Sequence, residues 1–195
     1  MIAMTEAGPW CPLVSIIIPV YNGSDYLGEA IDSALAQTYE NKEVIVVNDG
    51  SKDEGRTEAV AKSYGTRIRY FSKENRGVAS ALNYGLSRAK GGYISWLSHD
   101  DVYVGNKLEA QIEYLRHNPQ KRRSVILYSN FYYIDEKSVV FNKYTLPRVP
   151  PEKFYQALLC EMVFKSPLRR WKFGVNGCTS LIPKDAFEKV GLFNE

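Results

Sequence analysis

Three short apolar runs constrain this chain more than any other feature. Leu13 to Val20 reads LVSIIIPV, Glu43 to Val47 reads EVIVV, and Gly92 to Leu97 reads GYISWL. Each is near-continuous and rich in β-branched or aromatic residues, so each is a strand buried on both faces. Amphipathic segments lie between them, with Leu27, Ile31, Ala34 and Leu35 and then Ala79, Leu82 and Leu86 recurring at helical spacing. Ser24 or Asp25 is positioned to cap the first of these helices, and Ile68 to Phe71 supplies a further strand. Strands alternating with helices predict a three-layer α/β/α fold on a mostly parallel sheet.

Polar clusters follow three of the four strands: Pro19-Val20-Tyr21-Asn22, Asn48-Asp49-Gly50-Ser51 and His99-Asp100-Asp101. In a parallel sheet these loops emerge at one edge, and that edge is where open α/β sheets bind ligands. Two adjacent aspartates repel each other, and a divalent cation relieves the repulsion. Carboxylate oxygens suit Mg²⁺ or Mn²⁺, held by one or two carboxylates together with the phosphate oxygens of a nucleotide. A polar turn after a strand is the plainer alternative for Asp100-Asp101 taken alone. Convergence of the three loops favours the metal.

At 195 residues the chain is one domain of ordinary size, and its 45% hydrophobic and 24% charged residues are those of a globular protein. A formal net charge of +3 is too small and too dispersed to point to nucleic acid. Lys121-Arg122-Arg123 and Arg169-Arg170 are the densest basic clusters. They read as solvated surface, with peripheral contact to an anionic membrane or a lipid-linked phosphate as the alternative. Cys11, Cys160 and Cys178 have neither metal-ligand spacing nor an even count, so a reducing, cytoplasmic setting is expected. The apolar runs are too short to span a bilayer, and residues 1–12 read as an N-terminal extension without signal-peptide character.

Past Asp101 the pattern changes, dividing the domain into a half at 13–118 and a half at 119–195. A helix is predicted from Asn106 to His117, a strand from Ser124 to Ile134, and a hairpin through Asp135-Glu136-Lys137-Ser138 into Val139 to Tyr144. Three prolines interrupt 145–151. A helix from Phe154 to Phe164, an irregular acceptor-side loop from Arg169 to Gly177, a short strand from Cys178 to Ile182 and a helix from Pro183 to Val190 complete the reading. The sheet is therefore expected to gain antiparallel strands in its second half.

The stretch VSIIIPVYNGSDYLGEAIDSALAQTYENKEVIVVNDGSKD, followed by ENRGVASALNYGLSRAKGGYISWLSHDD, resembles an inverting family 2 glycosyltransferase of the GT-A (Rossmann-like) fold. The likeness is dense from Leu13 to His117 and continues more loosely through NGCTSLIPKDAFEKVGLFNE. It implies a nucleotide diphosphate sugar donor, a UDP-sugar by preference, a glycan or lipid-linked acceptor, and a Mn²⁺ or Mg²⁺ cofactor. It further implies that Pro19 and Tyr21 line the nucleotide pocket, that Asp49 accepts a hydrogen bond from the base, and that Asp100 and Asp101 form the metal-binding pair. His-Asp-Asp stands here where the family has Asp-X-Asp, which leaves open which carboxylate touches the metal.

The side chains allow these roles and plainer ones beside them. Tyr21 can stack on a flat base or fill the core. Ionised Asp49 can only accept hydrogen bonds, from uracil or within a turn. Arg76, at a helix start, can grip a diphosphate or pair on the surface. His99 can ligate a metal or bond locally, Ser51 and Asp53 suit helix capping, and Asn83 receives no chemistry. Transfer also needs a base for the acceptor hydroxyl. None is visible, and the resemblance places it in an acidic motif beyond Glu195. Two rivals remain. A sugar nucleotidyltransferase would need a basic glycine-rich loop after the first strand, whereas Val20 to Asp25 has no basic residue. A non-catalytic nucleotide-binding module of a larger protein is the other.

Overall fold

The computed structural model describes residues 10–145 and 177–195. The expected three-layer α/β/α arrangement is present, built on a five-stranded mixed sheet. Its strands are β1 (Val14–Val20), β2 (Lys42–Asn48), β3 (Arg69–Ser72), β4 (Tyr93–Trp96) and β7 (Ile182–Pro183), in the order β3-β2-β1-β4-β7. The first four run parallel, and β7 pairs antiparallel to β4. A separate hairpin joins β5 (Phe131–Ile134) to β6 (Val140–Tyr144).

Strand β1 is buried along its whole length and serves both faces of the sheet. Ile16, Ile18 and Val20 pack on one side with α1 (Leu27–Leu35) and α4 (Lys107–His117). Ile17 points the other way, toward Leu82 and Leu86 of α3 (Val78–Arg88). This alternation is the period-2 geometry of a strand, and it explains why the run had to be apolar throughout. Helix α3 approaches closely because Gly85 faces β1: a Cβ there would lie 2.5 Å from Ile17 Cγ2. Among the described residues, helices α2 (Arg56–Ser63) and α5 (Asp185–Val190) are the remaining α-helices.

Pro19 shapes the edge from which the strand-end loops emerge. In a parallel ladder the N–H and C=O of one residue face the same neighbour. Ile17 O accepts from Leu97 N at 3.0 Å, so Ile17 faces β4, and Pro19, two residues on, faces the same way. Proline has no N–H to offer there. The β1–β4 register ends at Ile17↔Trp96, whereas β1–β2 pairing continues to Val20↔Asn48. The chain after β4 therefore leaves β1 where the strand order reverses, the topological switch point of such a sheet.

Several boundaries differ from the sequence reading. Ser24 and Asp25 do not cap α1; Gly23 O accepts from Tyr26 N and Leu27 N instead. The long strand expected over Ser124 to Ile134 is present only as β5, with Leu127 forming an isolated bridge to Leu181. Cys178 lies in a 3₁₀ turn at Gly177–Thr179 rather than a strand, and Pro183 belongs to β7, so the last helix starts at Asp185. Antiparallel pairing through residues 181–183 claimed those positions. The expected 154–164 helix, the prolines after Thr145, Arg169-Arg170, Cys160 and nearly all of the 169–177 loop lie outside the described residues.

Candidate functional site

The loops after β1, β2 and β4 meet, and specific hydrogen bonds tie them together. Asp49 N donates to Val20 O at 2.8 Å, Asn22 N donates to Ser51 Oγ at 2.9 Å, and Lys52 N donates to Asn22 Oδ1 at 2.7 Å. Gly23 N donates to Thr57 Oγ1, whose hydroxyl donates in turn to Asp53 Oδ2 at 2.6 Å. Those Thr57 bonds hold the Asp53 carboxyl below the usual carboxylate range, and Thr57 N on the same oxygen anchors the start of α2. The His99 ring from the β4 loop lies directly on Gly23, where a Cβ would come within 2.2 Å of it. His99 thus packs across the switch point.

Asp49 is buried, and its carboxylate is already engaged. It accepts from Lys73 Nζ at 2.7 Å, from Gly77 N at 2.7 Å, and from Arg76 N at 3.2 Å and 3.3 Å. Gly77 immediately precedes α3, so a buried anion sits at the exposed amides of a helix start. The sequence offered Asp49 as either a base contact or a turn residue. The structure gives it a third task, fixing the β3–α3 loop to the end of β2. Tyr21 is 42% exposed beside this cluster and is no core residue. Arg76 is exposed, while Pro19 is buried in β1.

Asp100 is exposed and Asp101 half-buried, in a turn where Asp101 N donates to Ser98 O. Ser98 N also donates to Cys178 Sγ at 3.2 Å, and the Cys178 thiol lies against Asp101. Burial first, then the charge of Asp101, pushes that thiol up to about 12, so Cys178 stays a thiol. A cavity of about 240 Å³ opens beside Asp100 and Asp101, with Glu29, Asp135 and Glu136 also in its wall. Among the described residues no group of three His, Cys, Asp or Glu side chains closes around an ion. Two oxygen donors on an open edge nevertheless fit a hard cation that completes its shell with water and ligand oxygens, as Mg²⁺ and Mn²⁺ do.

Two features escaped the sequence reading. Asn83, on α3, mimics a strand: its amide donates to Phe193 O at 2.9 Å and accepts from Phe193 N at 3.0 Å. It also donates to Glu195 Oε1 at 3.0 Å. That bond, with Ser80 and the charges of Arg76 and Lys73, holds the Glu195 carboxyl below its ordinary value. Phe193 meets Trp96 edge-on, which seats residues 193–195 near the carboxyl end of β4. The second feature is Lys107, a buried lysine whose ammonium is pulled down to about 7 by burial. It lines a cavity of about 550 Å³ between α4 and the β5–β6 hairpin. No periodicity distinguishes these residues from ordinary polar positions on a helix.

A mostly parallel sheet with its strand-end loops gathered at the switch point is the architecture of the GT-A fold. The family described as glycosyl transferase family 2 matches residues 15–191, and the chain belongs to that family. A glycosyltransferase of Rickettsia felis is 53% identical over 188 residues, covering 95% of this chain and 29% of that protein. Staphylococcus aureus TarS 1–349 in complex with UDP-GlcNAc superimposes with a TM-score of 0.63 at 18% identity, over 93% of this chain and 48% of that one. The mannosyltransferase PcManGT from Pyrobaculum calidifontis, in complex with GDP-Man and Mn²⁺, gives 0.63 at 20% identity, over 97% and 50%. No helix among the described residues is long and apolar enough to cross a membrane.

Two outcomes follow. Asp49→Asn turns an amide toward Lys73 and two backbone N–H groups, so urea unfolding should show a loss of about 1–3 kcal/mol. An unchanged midpoint would mean the charge is not used. For Lys107, the folded value near 7 lies below the ordinary 10.5, so between these pH values unfolding takes up a proton and stability rises with pH. The slope is at most about 1.4 kcal/mol per pH unit. Lys107→Met lacks this term, so its stability advantage over wild type should shrink from pH 7 to pH 10; a pH-independent difference would contradict the burial effect.

Proposed function

We propose that this domain transfers a sugar from a nucleotide diphosphate sugar, a UDP-sugar by preference, to a glycan or lipid-linked acceptor with inversion at the anomeric carbon. The observation that carries the reading is the position of Asp100-Asp101 on the rim of the β1/β4 switch point, in the same cluster of loops as Tyr21 and Asp49. Tyr21 offers an exposed aromatic face for the base, and Asp49 accepts from the base or holds the loop that does the contacting. Pro19 lines the pocket by ending β1–β4 pairing. Arg76 and the ends of the loops face the diphosphate. Asp100 and Asp101 would hold Mn²⁺ or Mg²⁺, which when bound stabilises the leaving diphosphate as a Lewis acid. The named ligands of the two structural neighbours, a UDP-sugar in one and GDP-Man with Mn²⁺ in the other, support this assignment.

The proton of the acceptor hydroxyl needs a carboxylate within hydrogen-bond reach. We assign that base to residues following Glu195. Phe193 packs on Trp96 at the carboxyl end of β4, which supports delivery of the following residues toward the proposed site. The cytoplasmic face of a membrane suits a lipid-linked acceptor and the basic clusters.

UDP should bind tightly with Mn²⁺ and weakly in EDTA, measured by calorimetry. Asp100→Ala and Asp101→Ala should each remove the metal-dependent part; Asp100→Ala, at an exposed position, should do so without lowering the melting temperature, whereas Asp101→Ala also gives up its contact with Cys178. Equal UDP affinity with Mn²⁺ and with EDTA would overturn the metal assignment. A matched pair tests the base: this chain, and one extended by a few tens of native residues, with the same donor and acceptor. The shorter chain should bind nucleotide but transfer about 10²–10⁴-fold more slowly. Equal rates would move the base inside residues 1–195.

A further inference from the structure

One buried basic side chain, Lys107, takes no part in the proposed chemistry. Lys107 opens α4, and its ammonium donates to Ser95 Oγ at 2.7 Å and to Ser180 O at 3.2 Å. It stands 4.0 Å from the centre of the Tyr103 ring. Two hydrogen bonds and a cation–π contact use the three N–H bonds of an ammonium. Among the described residues no Asp or Glu forms an ion pair with it. A methionine would fill the same space without desolvating a charge, so packing alone does not account for a lysine here.

What the ammonium joins is informative. Ser95 lies in β4 and Lys107 begins α4, twelve residues apart, and Asp100 and Asp101 lie between them. Tyr103, inside the same loop, donates from its hydroxyl to Trp96 O at 2.6 Å and shares a hydrogen bond with Ser95 Oγ at 2.7 Å. Its backbone N donates to Ser33 Oγ at 3.0 Å. The third partner, Ser180, belongs to the segment whose Cys178 Sγ accepts from Ser98 N. One side chain therefore closes the loop at both ends and docks it on the neighbouring segment.

We propose that Lys107 is a positioning residue for the carboxylate pair: by joining Ser95, Tyr103 and Ser180 it fixes the span of residues 97–106, and so sets where Asp100 and Asp101 present their oxygens to a divalent cation. The proposal rests on the reading that these two aspartates hold the metal. Groups that orient metal ligands from behind are typically worth about 10–100-fold in metal affinity.

The test titrates Mn²⁺ into the full 195-residue chain with saturating UDP, following the free-ion signal by electron paramagnetic resonance, with thermal unfolding alongside. Lys107→Met should melt at or above the wild-type temperature and bind Mn²⁺ about 10–100-fold more weakly. Tyr103→Phe, which keeps Lys107 but cuts the hydroxyl's bonds to Trp96 O and Ser95 Oγ, should weaken Mn²⁺ binding by less. Wild-type Mn²⁺ affinity in a well-folded Lys107→Met overturns the proposal and leaves the metal reading standing. If Lys107→Met melts far below wild type, Tyr103→Phe decides: weakened Mn²⁺ binding at an unchanged melting temperature supports positioning, and wild-type affinity refutes it. A wild-type chain that binds no Mn²⁺ with UDP overturns the metal reading and this proposal with it.

Discussion

The site depends on a constraint in the middle strand. β1 pairs on both edges and is covered on both faces, so nearly every group it has is committed. The exception is the edge of Pro19 that faces β4, where the ladder stops because the donor is missing. From that point the two chains diverge, and the loop bearing the carboxylate pair has room to turn over the end of the sheet. Gly23 then allows the His99 ring to close the gap from the other side. A proline in an interior strand normally argues against the strand assignment. Here it sits just past the last shared pair, so it costs the sheet no hydrogen bond and marks the crevice.

The buried charges around this crevice follow one pattern. Asp49 has its lone pairs used by Lys73 and the amides before α3, and Lys107 has its protons used by Ser95, Ser180 and the Tyr103 ring. Each is a buried titratable group satisfied by partners from separate elements. Such arrangements tolerate few alternatives, because a half-satisfied network is worse than none. In the β4–α4 loop this satisfaction adds to apolar packing, since Leu97 and Tyr103 are buried in the core.

Much of the fold was legible because β-branched runs and helical spacing are local properties of a sequence. β1, β2, β4 and the helices between them were read from short local runs such as EVIVV and LVSIIIPV, and the gathering of the three loops followed from parallel topology. What could not be read depends on distant partners. The strand expected over 124–134 shrank because Leu127 pairs with Leu181 alone, while Pro183 joined the sheet edge instead of starting a helix. Asn83 and Lys107 look like any polar residue on a helix. Their partners lie 110 residues away at Phe193 and 73 residues away at Ser180, and no local pattern encodes those contacts.

The Asn83 contact has a kinetic side. A bond closing a loop of that length cannot help the chain until the sheet is assembled, because the closure entropy must already be met by other contacts. The 191–195 segment therefore docks late and is among the first parts to release, held by a few side-chain hydrogen bonds and the Phe193 ring. Local opening of that kind is cheap compared with global unfolding. Helix α3 is thus a fixed berth for a detachable piece of chain, one that can lift from Asn83 without disturbing the sheet beneath it.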